Sequence, residues 1–361
     1  MRYMNQIRRN ISRLKRARKL DIDKKRELKK NNIQKILIIT TSNGWGDSLY
    51  VRGLVKRLQK KSFHVSVAVP ERILEHFKKN DFASLIVLEE LKQSSELKLD
   101  ILFDLTYIGV PDLEPRMELL KRVSCPCITV SEIGRKLNVY DDFIDFSEVP
   151  HISERFSKII SYITKKYEKP VYPVTNVSEF LAIRLKEEII LKKRIAYLNT
   201  IARDKDRCFT LTQQQALLKH LINKGYFVIV NTEFSILTEP KTTYILPHIE
   251  FEELCGLVKN VDLIVTPDTA VTHIASAYNI PTFVVFPPND RDYWQKFSAS
   301  AVWGPLSRDN LVFFKDSENL EIDQYGYATK EPMSISVYYP SDLVCNLNVF
   351  INKLSKVKNV K

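Results

Sequence analysis

Two stretches of the chain combine residue types that can bind or activate other groups. The first is Thr266 to Phe286, TPDTAVTHIASAYNIPTFVVF, in which a buried strand ends, a helix begins and a second apolar strand follows Pro281. Asp268 follows the strand and precedes Thr269, Ala270 and Val271, an arrangement that reads as a helix N-cap and leaves backbone N–H groups open to an anion. His273 falls on the helix face near that end, where it could donate to a phosphate oxygen; the plainer reading is a capped core helix with a satisfied histidine. The second stretch is the loop Ser42 to Asp47, which follows the apolar run KILIITT. Asp47, at its tip, can offer a carboxylate to chemistry, cap a helix starting at Ser48, or do both. Gly44 and Gly46 hint only weakly at a dinucleotide loop, because Leu49 stands where the third glycine of G-x-G-x-x-G belongs.

The elements that must hold these residues alternate between strand and helix. Lys35 to Thr41 is a β-branched run without polar alternation, as a parallel strand covered on both faces requires. A helix to about Lys60 follows. Further strands are expected at Val65 to Val69, Leu85 to Leu88, Ile101 to Leu105 and Cys127 to Val130, with helical stretches near 71 to 79, 112 to 122 and 151 to 167. The proline-bearing EKPVYPVTNV, residues 168–177, breaks the rhythm and reads as a linker. After a helix at 178 to 191 a second series begins: strands at Ile195 to Asn199, Phe227 to Asn231, Tyr244 to Leu246, Leu263 to Thr266 and Thr282 to Phe286, with helices at Thr212 to Lys224, 250 to 259 and after Asp268. Such alternation implies two doubly wound α/β units, whose ligands bind beyond the carboxyl ends of the strands, in a cleft between the units. The expected divisions are a basic arm at 1–34, an N-terminal unit at 35–170, a connection at 171–193, a C-terminal unit at 194–305 and an irregular tail at 306–361 with a helix near 341 to 355.

At 361 residues and 44% hydrophobic, the chain can bury two cores. Its net charge of +12 is concentrated at one end: thirteen basic and three acidic residues among 1–34 account for ten of the twelve. Met4, Ile7, Ile11, Leu14 and Ala17 give residues 2–30 a narrow apolar stripe between those charges, so the arm can lie on an anionic membrane surface, pack on the body or remain solvated. No recognition motif accompanies the charge, so no nucleic acid is expected. The five cysteines form no zinc-binding spacing and read as free thiols of a reducing cytoplasm. No run approaches the roughly 18 apolar residues of a membrane span, which makes a cytoplasmic protein, at most peripheral on a membrane, the expectation.

The run D-T-A-V-T-H-I-A-S-A-Y-N-I-P-T resembles the D-T-G-x-x-H-x-A-A-A-x-x-x-P-T signature of the family nine glycosyltransferases, the lipopolysaccharide heptosyltransferases, with Ala270 in place of the usual glycine. The strand, helix and strand in LPHIEFEELCGLVKNVDLIVTP, upstream, match too, and Ile36 to Asp47 is similar to the family's N-terminal strand and Gly-Asp loop. The resemblance covers about residues 35–305. It implies a GT-B type fold of two Rossmann-like domains facing a cleft, and an inverting, metal-independent transfer of heptose from ADP-heptose to a lipopolysaccharide or lipooligosaccharide core at the inner membrane face, with no cofactor. Asp47 would be the general base. Asp268, Thr269, Ala270 and His273 would hold the diphosphate, with Thr200 at the family's hydroxyl position and either Lys205 or Arg207 as the neutralising cation; Phe209 after Arg207 favours the latter. Glu233 would meet ribose hydroxyls and Ile249 the base, while Asp104 and Arg52 fall on the acceptor side. Tyr293, Trp294 and Trp303 read as packing near the same loop. Another nucleotide-sugar transferase or an epimerase on the same fold, and a catalytically silent, membrane-associated binding module, remain open alternatives.

Overall fold

The apolar runs become two parallel sheets in the computed structural model of the chain, which describes residues 15, 18–19, 21, 26, 33–42, 44–77, 84–90, 98–106, 113–131, 134–175, 194–232, 241–246, 249–288, 299–314 and 334–358. The chain divides into two compact units, one formed up to Val149 together with Ser153–Val171, the other by Pro150–Ile152 and the chain from Tyr172 onward.

In the first unit, β1 (Lys35–Ile39), β2 (His64–Val69), β3 (Ser84–Val87), β4 (Ile101–Asp104), β5 (Cys127–Thr129) and β6 (Asp142–Phe143) lie in the order β3-β2-β1-β4-β5-β6. Ile36 pairs with Val65 on one side and Ile101 on the other, and Ile39 stands opposite Asp104. Ile36 to Ile39 are fully buried, which explains why the run shows no polar alternation. The helices are α1 (Trp45–Gln59), α2 (Leu113–Arg122) and α3 (Ile152–Thr164), while the stretch expected to be helical from residue 71 is a 3-10 helix, Glu71–His76. α1 starts three residues before Ser48, with extended Gly44 at its N-cap, so Asp47 sits in the first turn and does not cap the helix.

The second unit repeats the plan. β7 (Ile195–Asn199), β8 (Phe227–Asn231), β9 (Thr243–Ile245), β10 (Leu263–Pro267), β11 (Thr282–Val285) and β12 (Asn310–Phe313) form a parallel sheet in the order β12-β11-β10-β7-β8-β9. Its helices are α4 (Leu211–Asn223), α5 (Phe251–Lys259), α6 (Ala270–Tyr278), α7 (Ala299–Trp303) and α8 (Pro340–Lys358). The stretch read as irregular from residue 306 therefore contributes an edge strand, whose four residues are too few to register as a periodic run. Leu343, Leu347, Phe350 and Ile351 of α8 share a core with Leu217 and Leu221 of α4 and with Phe283 and Phe313 of the sheet.

In each sheet the order of strands reverses next to the first strand, between β1 and β4 and between β7 and β10. In open α/β sheets such a reversal is the usual ligand position, beyond the carboxyl ends of the strands.

The helix expected at 178 to 191 lies outside the described residues, as does most of the arm at 2–30. The root of the arm is anchored on the first unit. Asp21 accepts backbone N–H bonds from Asn138 and Val139 at 2.8 and 2.9 Å. Buried Arg26 donates to the carbonyls of Leu120, Val123 and Val139 and pairs with Asp141 at 3.1 Å. Arg26, counted above among the charges available to a membrane, is thus taken up inside the fold.

Candidate functional site

The point of reversal in the second sheet gathers most of the residues singled out on the donor side. β10 ends in Pro267, and α6 starts at Ala270 with Thr269 as its N-cap, the Thr269 hydroxyl accepting from Val271 N. The expectation that Asp268 caps this helix is corrected. Its carboxylate is drawn instead to the Arg207 guanidinium, 2.8 Å away, a charge-assisted bond stronger than a neutral cap. The first N–H groups of a helix lack intrahelical partners, so the start of α6 presents donors and a positive dipole end beside an arginine. An anion is the ligand such a corner suits.

Arg207 and Lys205 lie on one 3-10 turn, Lys205–Arg207, begun by Asp204, whose carboxylate accepts from Asp206 N. Lys205 is exposed and Arg207 half-buried. Thr200 is fully buried; its hydroxyl donates to the Asn231 carbonyl at 2.5 Å and its carbonyl accepts from Phe209 N, so its side chain braces the loop. Ile249 is half-buried just before α5, and Glu233 lies outside the described residues.

His273 is 5% exposed and packs edge-on against Trp303, ring centroids 5.8 Å apart. Burial, with a smaller effect from His151, pushes its pKa from 6.5 down to about 3. The imidazole is neutral at physiological pH, so it can bring an N–H to an anion but no charge. Trp303 acts as packing, as read above; Tyr293 and Trp294 lie outside the described residues.

Asn199 was not singled out from the sequence. It ends β7, is nearly fully buried, and its Nδ2 lies 2.9 Å from Thr266 Oγ1 and 3.2 Å from both Thr269 Oγ1 and the Ile201 carbonyl. An asparagine at a strand end is ordinary turn chemistry, and nothing local marks it.

In the first unit, Asp47 sits half-buried in the opening turn of α1. The Ser42 hydroxyl donates to its Oδ2, and a Cβ added at Gly44 would stand 2.8 Å from that same oxygen. Asp104, at the end of β4, is fully buried: it pairs with Arg116 at 3.2 Å, accepts from Tyr140 Oη at 2.5 Å, and accepts from the Thr106 N–H and hydroxyl. Arg52 is buried on α1. Both acceptor-side candidates therefore lie in the interior of this unit. Among the described residues, no group of three or more His, Cys, Asp or Glu could hold a metal ion.

A capped helix start beside an arginine at the switch point of an open parallel sheet is the arrangement in which such folds commonly bind anionic groups. The match of residues 134–318 to the family described as Glycosyltransferase family 9 (heptosyltransferase) makes this specific, and the chain belongs to that family. A provisionally named lipopolysaccharide heptosyltransferase 4 of Escherichia coli K12 is 23% identical over 292 residues, covering 76% of this chain and 79% of the relative. Lipopolysaccharide heptosyltransferase 3 of Escherichia coli is 23% identical over 155 residues, 40% of this chain and 43% of the relative. Among solved structures, the E. coli ADP-heptose lipopolysaccharide heptosyltransferase II superposes with a TM-score of 0.62 at 16% identity, over 89% of this chain and 100% of that one. A family 9 glycosyltransferase from Veillonella parvula DSM 2008 superposes with 0.61 at 12% identity, over 92% and 99%. The fold is α/β of the GT-B type, with two Rossmann-like domains.

Proposed function

We propose that this protein is an inverting glycosyltransferase that moves heptose from ADP-heptose onto a lipopolysaccharide or lipooligosaccharide core acceptor. The observation that carries the reading is the Arg207–Asp268 pair beside the start of α6, at the switch point of a sheet in a family 9 chain. The relatives' names, lipopolysaccharide heptosyltransferase and ADP-heptose heptosyltransferase, supply the donor and acceptor class.

In this reading the C-terminal unit binds the donor. Arg207, with Lys205 beside it, and the N–H groups at Thr269 and Ala270 face the diphosphate, His273 adds a neutral donor, and Asp268 fixes Arg207. Thr200 braces the loop, while Glu233 and Ile249 serve the ribose and the base. Asp47 takes the proton from the acceptor hydroxyl as that oxygen attacks the anomeric carbon; the bond to the diphosphate breaks on the opposite face, and ADP leaves with the electron pair. Charge developing on the leaving group meets fixed donors, so the step needs no metal. Asp104 and Arg52 support the acceptor side from within.

The arm's basic residues ahead of Asp21 would bring the enzyme to the anionic cytoplasmic face of the inner membrane, where each contributes about 1 kcal/mol near the surface. Among the described residues no helix is long and apolar enough to cross a membrane.

The test is incubation with ADP-heptose, with and without a heptose-deficient core acceptor, following ADP release and the acceptor's mass. Release that depends on acceptor, with one heptose gained, is expected. Consumption of donor alone would point to an epimerase. Thermal stabilisation by ADP no greater than by UDP or GDP would overturn the donor assignment, since a ligand at 100 times its Kd adds about 2.7 kcal/mol.

A further inference from the structure

We propose that Asn199 is a positioning residue for the diphosphate: its carboxamide sets the start of α6 and the Arg207 loop at the separation that an anion between them needs. The inference rests on the donor-site reading above. It starts from the hydroxyl arrangement beneath the site. Thr266 Oγ1 donates its single proton to the Pro267 carbonyl at 2.8 Å, so in its 3.1 Å contact with Thr269 Oγ1 it must accept. The Thr269 hydroxyl therefore directs its proton at Thr266 and its lone pairs at Val271 N and Asn199 Nδ2. It is fully engaged and has no proton for a phosphate. The cap is a fixed acceptor, and the N–H groups behind it are the donors available at the helix start.

Asn199 closes this arrangement. Two Nδ2 protons are shared among Thr266 Oγ1, Thr269 Oγ1 and the Ile201 carbonyl, from a residue that is 3% exposed. The first two bonds tie the end of β7 to the end of β10 and the cap of α6. The third ties the same side chain to the loop that carries Arg207. Cys208 fastens that loop again, its Sγ lying 3.3 Å from Ala202 N. One carboxamide thus spans the switch point and reaches both halves of the anion corner. A donor with two protons is needed: a carboxylate of the same shape could only accept, and a hydroxyl has one proton and too short a reach.

The test compares a nucleoside diphosphate with its nucleoside. Calorimetry would measure ADP and adenosine binding to the wild type, Asn199→Ala and Asn199→Asp, with the thermal midpoint of each recorded. In Asn199→Ala, ADP should weaken about ten-fold while adenosine holds within two-fold. Asn199→Asp, isosteric but able only to accept, should weaken ADP further by placing a negative charge below the phosphates. ADP and adenosine weakening in the same proportion, or a lowered midpoint with unchanged ADP affinity, would mark Asn199 as a merely structural residue and overturn the proposal. Wild-type protein that binds adenosine as tightly as ADP would remove the donor-site reading itself, an outcome distinct from a failure of Asn199.

Discussion

The two switch points are built on the same strand order and braced in opposite ways. At the carboxyl ends of β7 and β10 the largely buried supports bond directly to the anion corner: Asn199, Thr266 and Thr269 bond to one another, and Asp268 holds Arg207. At the ends of β1 and β4 the strong polar network of Asp104, Arg116, Thr106 and Tyr140 is fully inside, and Asp47 stands apart from it, steadied by Ser42 and by the bare Cα of Gly44. A corner that grips a ligand gains from fixed donors, because donors held in place cost no reorganisation as charge develops. A corner that must take up and return a proton gains from a carboxylate that can adjust to it.

The contrast would break most sharply at Asp47. Asp47→Asn should lower kcat about a thousand-fold while ADP affinity stays within a few fold; turnover near the wild-type rate would remove the base from the scheme. Next comes Arg207→Ala, which should weaken ADP about thirty-fold, the scale of a charge-assisted hydrogen bond. Equal losses for ADP and adenosine would show that the arginine does not serve the phosphates. Gly44→Ala sharpens the other side of the comparison. The new methyl displaces the end of a flexible side chain and no backbone, so the thermal midpoint should hold while kcat falls about ten-fold through the shifted carboxylate.

A last effect is read in stability and not in rate or affinity. The folded His273 has its pKa near 3 against an ordinary 6.5, so below pH 6.5 the unfolded chain binds a proton that the folded chain refuses. The stability this histidine contributes is complete above that pH and is lost as pH falls toward 3, at no more than about 1.4 kcal/mol per pH unit. Replacing it in His273→Gln should flatten denaturant-derived stability between pH 6.5 and 4 relative to wild type. Parallel curves would show that the folded ring takes up its proton as readily as the unfolded one.

Much of this was legible in the chain. Runs such as KILII and LIVTP betray parallel strands because burial on both faces removes polar alternation, and the D-T-A-V-T-H run marks the start of α6. Its cap was misplaced by one residue: local rules rank aspartate and threonine as similar caps, and only the fold shows that Asp268 has Arg207, 61 residues away in sequence, as a better partner. Distance in sequence also hid the pairing of Asp104 with Arg116 and Tyr140, and Asn199 looked like any residue leaving a strand. Arg26 was masked in another way, as one cation in a run of thirteen.

That arginine has a bearing on how the arm can be studied, and on how a cell would treat its loss. The chain ahead of β1 carries most of the protein's excess charge, yet its root is a plug: Arg26 satisfies three carbonyls and the Asp141 carboxylate in the interior. Deleting residues 1–34 would leave those acceptors without a cation, a loss of about 3 to 5 kcal/mol for a broken buried pair. A clipped enzyme would then become a target for proteolysis before any change of address could be observed. The proposed membrane attachment is better tested by reversing the charges of Arg8, Arg9 and Arg13 while leaving Asp21 and Arg26 in place.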